Sequence, residues 1–190
     1  MTSGTAFQRL YDPTKHGATA LSFRHYGPIS RFDHQPEPCA VDPNRAILYV
    51  ARTLSGCLVE IFGDAKLINV GTWEVAFIDC TRDLHLLDLR GANAMRAGTV
   101  AGVCKDSNRP ISQAWSRYFY ENSFLYAPVI GTSIDGLIFG NAHNDEDAVA
   151  LNERCQSDFI CRAVCSLNDA ALRTEIKCIA LGTGMYVQPY

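Results

Sequence analysis

Four polar side chains stand in apolar or aromatic company: Arg9 in AFQRLY, Arg31 in ISRFDH, Tyr49 inside ILYVA and Glu60 in CLVEIF. An ion with such neighbours must reach water, a partner or a ligand, because taking an unpaired charge out of water costs several kcal/mol. Two arrangements meet that demand. One is an internal Arg–Glu ion pair that holds the fold. The other is a cleft where two forked guanidinium groups, a phenol and a single carboxylate take a phosphate-bearing ligand and act on it at a sugar carbon.

Other groupings in the chain offer less. Gly182-Thr183-Gly184 lacks the third glycine, the lysine and the strand-to-helix setting of a phosphate loop, and reads as a turn. The run from His143 to Asp147 lacks the ligand spacing of a calcium loop and reads as a solvated turn between strands. The histidines at 16, 25, 34, 85 and 143 form no HExxH pair, and no GxSxG elbow occurs. Cys155, Cys161 and Cys165 lack the paired spacing and companion histidines of a structural zinc site. No metal is therefore expected.

Composition bounds the setting. Of 190 residues, 47% are hydrophobic and 19% charged, with 17 basic against 20 acidic side chains. Nothing calls for a domain cut, so one domain over 1–190 is expected, with residues 154–190 as a C-terminal extension packed on it. The net charge of −3 gives no basic field to gather phosphate backbones, which argues against direct nucleic-acid binding. No apolar stretch has membrane-spanning length and the first residues form no apolar leader, so a cytoplasmic chain is expected, with its eight cysteines as buried free thiols.

The elements that must position the four residues follow from pattern. The proline-rich run 34–45 reads as an ordered loop and ILYVA (47–51) as a strand. Thr53 then caps a helix over 54–62 that ends near Gly63. WEVAFIDC (73–80) and LHLLDL (84–89) read as strands joined in a hairpin by the polar turn 81–83. A second helix over 112–120 follows Pro110. GLIFG (136–140) and AVALNE (148–153) make two more strands, and 167–181 holds a short helix capped by Asn168 and then a final strand. The sum is α+β: a compact single domain with a mixed, mostly antiparallel sheet and a few helices.

Taken in order, SRFDHQP, ILYVA, LVEIF, SQAWSRYF and DGLIF closely resemble the RES domain, named for its arginine, glutamate and serine. The resemblance spans about residues 7–153 and is strongest in the spacing from Arg31 through Tyr49 to Glu60. It implies an ADP-ribosyltransferase-like fold and the toxin half of a bacterial toxin–antitoxin pair. It further implies that NAD+ is consumed as substrate without a resident cofactor, and that an antitoxin with an Xre-like helix-turn-helix domain neutralises the chain. A homodimer is left open.

The early family arginine falls on Arg9, the arginine of the RF motif on Arg31, the strand tyrosine on Tyr49 and the helix glutamate on Glu60. The serine falls on Ser112. Many relatives also carry a serine after the DGLIF-like strand, where this chain has Asn141; if that later position is the functional one, asparagine replaces it. By this resemblance Glu60, Arg9 and Ser112 are the catalytic candidates, and Arg31, Tyr49 and Asn141 bind NAD+.

Overall fold

A computed structural model describes residues 1–125 and 129–188. Its strands, in chain order, are β1 (Ala6–Tyr11), β2 (Tyr26–Gly27), β3 (Ala40–Val41), β4 (Ile47–Ala51), β5 (Leu67–Ile68) and β6 (Glu74–Cys80). They continue as β7 (Leu86–Asp88), β8 (Gly136–Gly140), β9 (Asp147–Asn152), β10 (Phe159–Ser166) and β11 (Tyr186–Val187). The α-helices are α1 (Leu54–Phe62), α2 (Asn93–Arg96), α3 (Arg109–Glu121) and α4 (Arg173–Thr183). Seven strands form the main sheet in the order β10-β6-β1-β4-β9-β8-β7. Every neighbouring pair is antiparallel except β7 with β8, so the sheet is mixed and mostly antiparallel, as its pattern predicts.

Strand alternation divides the core between the two faces. Phe7 and Tyr11 of β1 join Leu48 and Val50 of β4 in one cluster, with Ile78, Val149 and Leu151. Leu10 and Ala51 face the other way, toward Leu58 and Phe62 of α1 and Ile176 and Ala180 of α4. Beside them Ile47, Phe32, Leu137 and Phe139 pack with Phe119 of α3. The α-helices that contribute to these clusters thus lie on the face that carries Tyr49.

Thr53 begins α1 as expected: its backbone is extended and its hydroxyl accepts from the Gly56 N–H at 2.9 Å. Glu146 reinforces the cap by accepting from the hydroxyls of Thr53 and Ser55. The helix stops at Gly63, where a β-carbon would meet the His143 ring at 2.8 Å.

Two local expectations fail, and two strands go unforeseen. β6 and β7 form no hairpin and lie far apart in the sheet, because Leu87 and Leu89 bury with Leu137 while the 81–83 turn is spent on other contacts. Arg82 there makes a bidentate pair with Asp135 and also binds Asp158 at 2.9 Å. The expected final strand is the body of α4, since Ile176 and Ala180 recur at helical spacing and bury together; Asp169 rather than Asn168 caps the short 3-10 turn Ala170–Leu172 that leads in, and α4 itself starts after Leu172 without a side-chain cap. Finally, β1 and the eight-residue β10 carry no assignment in the sequence reading, yet they occupy an interior position beside the central β4 and one edge of the sheet.

Candidate active site

Glu60 lies on the outer flank of α1, but its carboxylate turns in against a wholly buried amide: Asn141 Nδ2 donates to Glu60 Oε2 at 2.8 Å. Asn141 follows β8 directly, and its own Oδ1 accepts from the His143 N–H at 2.8 Å, which fixes the orientation of the amide. Beside the carboxylate opens a shallow hollow of about 50 Å³, lined by Leu10, Tyr49, Cys57, Glu60, Ile61 and Phe139. Burial pushes the Glu60 carboxyl above the usual carboxylate range, against the counter-pull of Arg31, His143 and Arg109. A carboxylate at the open mouth of an apolar hollow, exposed on one side and acted on by Arg31 and Arg109, suits a reaction that develops positive charge on its substrate.

Cys57 is no alternative nucleophile. Burial raises its thiol to about 12, and its Sγ donates to the Gln8 carbonyl.

Arg31 sits in a loop whose shape is set by one acid that the sequence reading passes over. Asp33, fully buried, accepts from the Ile29 and Ser30 amides, from Arg24 at 2.8 Å and from the Tyr49 hydroxyl at 2.9 Å. The Tyr49 hydroxyl in turn accepts from the Phe32 N–H at 3.0 Å. Helix α3 holds the same loop from outside: Gln113 Nε2 donates to the Ser30 carbonyl, Ser116 Oγ to that of Phe32 and Arg109 to that of Ile29. Arg31 reaches back to the Asp106 carbonyl. The signal for Asp33 was present in the sequence, a single acid enclosed by Phe32 and His34 in an otherwise uncharged stretch after Arg31.

Of the six expected site residues, four gather here: Glu60, Asn141, Arg31 and Tyr49. Tyr49 gives the hollow its ring, while its hydroxyl belongs to the loop. Arg9 is a correction. It shares a strand face with Phe7 and Tyr11, opposite to Leu10 and the hollow, and its Nη1 donates to the carbonyls of Thr19, Ala20 and Ser22. Alternation along β1 therefore sends it through the sheet, where it fastens the 19–22 segment. Ser112 is also placed elsewhere: it is fully buried in α3, with its hydroxyl on the Arg109 carbonyl and no hydrogen bond to Glu60. Asn141 fills the place beside the carboxylate. The Arg–Glu ion pair that the sequence left open does not form, since Glu60 takes part in no salt bridge among the described residues.

The sequence model of the RES domain matches residues 6–169. A chain from the crystal structure of the M. tuberculosis MbcT–MbcA toxin-antitoxin complex shares the fold, with a TM-score of 0.59 at 18% identity over 94% of this chain and 91% of that one. Among curated proteins no sequence matches.

Proposed function

Because the chain belongs to the RES domain family, we propose that it is the toxin of a toxin–antitoxin pair and that it cleaves the nicotinamide–ribose bond of NAD+. The observation that carries this reading is the Glu60 carboxylate at the mouth of an apolar hollow, held there by Asn141. The likeness to a chain of a toxin–antitoxin complex supports the biological half of it.

In this mechanism the diphosphate lies against Arg31, with Arg109 nearby, and the nicotinamide end enters beside the Tyr49 ring. As the glycosidic C–N bond lengthens, its electron pair leaves with nicotinamide, which departs neutral, and the ribose acquires oxocarbenium character. Glu60 faces that charge. The interaction grows as the bond breaks, so it lowers the barrier rather than merely tightening binding. An acceptor then bonds to the anomeric carbon and sheds its proton. Water makes the chain a glycohydrolase, inorganic phosphate a phosphorylase, and a protein side chain an ADP-ribosyltransferase. None of these steps calls for a metal or a resident cofactor.

The test is to mix the purified chain with NAD+ and follow dinucleotide loss and product masses with and without phosphate. Glu60→Gln is expected to slow nicotinamide release by about 10²–10³-fold, the usual loss for one group aimed at transition-state charge. Equal background rates in both proteins would replace the enzyme with a non-catalytic RES-fold binding protein. An inhibitor that closes the cleft follows from such chemistry, since unrestrained NAD+ loss would starve the cell. We assign that role to an antitoxin with an Xre-like helix-turn-helix domain, whose co-expression should relieve growth arrest.

A further inference from the structure

The two edges of the main sheet are built differently. At one end β7 has three residues, and beside it Arg90 pairs with both Asp88 and Asp147 at 2.8 Å. Short length and charge are the usual means of keeping an edge from pairing with another chain. At the other end β10 is the longest strand of the sheet, eight residues hydrogen-bonded on one side only, to β6. On its outer side the Ser166 carbonyl accepts from the Asp169 amide at 3.0 Å, and no other backbone hydrogen bond to that side is found among the described residues. Ile160 and Val164 are each 44% exposed there, and the strand contains no proline, lysine or acid.

Its single charge is directed away from the open edge. The register shifts between Cys161 and Ala163, and Arg162, at that irregularity, binds Asp79 of β6 at 2.8 Å. A strand bearing unpaired charge of one sign repels its own copy; here the charge is already answered within the chain. The faces also match under a two-fold axis normal to the sheet. Cys161 and Val164 share one face through their register with Ile78 and Ala76, and Ile160 and Cys165 share the other through Asp79 and Val75. Antiparallel pairing of Cys161 with Val164 of a second copy, and of Ile160 with Cys165, sets uncharged side chains together on both faces, while Arg162 comes opposite Ala163 with its guanidinium already held by Asp79.

We propose that β10 pairs antiparallel with β10 of a second copy of this chain, so that two seven-stranded sheets join into one across a two-fold axis. The inference rests on the fold and is independent of the chemistry proposed for Glu60.

The test is sedimentation equilibrium of the full chain over about a hundredfold range of concentration, since self-association follows mass action, with amide hydrogen exchange read alongside. The wild type is expected to dimerise, and the amides of 160–165 to exchange more slowly as dimer accumulates. The double variant Ile160→Lys, Val164→Lys brings like charges to the axis and is expected to remain monomeric with unchanged circular dichroism and melting. A wild-type monomer at every concentration overturns the proposal, as does a dimer equally tight in the double variant or one that leaves these amides unprotected. Protection that arises only when a different protein is added assigns the edge to that protein and overturns it too. Nicotinamide release is measured on the same samples, where its absence from an intact dimer would refute the enzymatic reading alone.

Discussion

Glu60 carries a cost that its proposed role explains. Burial raises its carboxyl, so at neutral pH the ionised side chain opposes folding, while its neutral form does not. The sign follows directly: a raised folded value favours the native state at pH below the unfolded value, near ~4.3, and that benefit is lost as pH climbs through the folded value. Glu60→Gln should therefore melt above the wild type at pH 7, with the difference vanishing near pH 4, as calorimetry across that window would record. Asn141 works against the same cost by donating to the ionised form. In Asn141→Ala the acid limb of nicotinamide release should move to higher pH than in the wild type, read from a pH–rate profile. An unchanged limb would reduce Asn141 to a packing role.

Tyr49 shows how an element brings residues together that the linear order keeps apart. Its strand supplies the ring to the hollow and its hydroxyl to Asp33, so one side chain joins β4 to the loop that bears Arg31. Tyr49→Phe leaves the Phe32 N–H without its acceptor and Asp33 short of one donor. A loss of about 1–3 kcal/mol is expected in urea unfolding, together with a raised KM for NAD+ as the loop loosens. These same elements show what could be read in advance. ILYVA and the Thr53-capped helix were legible because short-range rules settle them: a β-branched apolar run, a capping hydroxyl, a terminal glycine. That placed Tyr49 and Glu60 correctly. Arg9 was misplaced because its strand had not been recognised, and without a strand there is no alternation to say which face it takes. Asn141 over Ser112 was undecidable locally, since both adjoin good elements and only long-range packing puts one of them against Glu60. The β6–β7 hairpin failed for the same reason: proximity in sequence favoured it, but burial of Leu87 against Leu137 decided otherwise.

Acid stability of the protein as a unit should be governed by a second carboxylate. Burial alone would raise Glu153, but hydrogen bonds from His34, Tyr120 and the Ala46 amide bring it down to about 2. It joins the 34–45 loop, α3 and the end of β9. A depressed acid stabilises the fold above its unfolded value and loses that contribution as pH falls toward the folded one, here from about 5 to about 2. Glu153→Gln should flatten the fall in melting temperature across that window, and a slope as steep as the wild type's would argue against this assignment. The strand order has a consequence of another kind. With β1 set between β4 and β6, residues 6–80 already contain three adjacent strands of the sheet and the α1 glutamate. The wall against which that glutamate is held comes only with Asn141, 81 residues further along, so the framework is settled by one contiguous stretch while its working centre waits on a distant one.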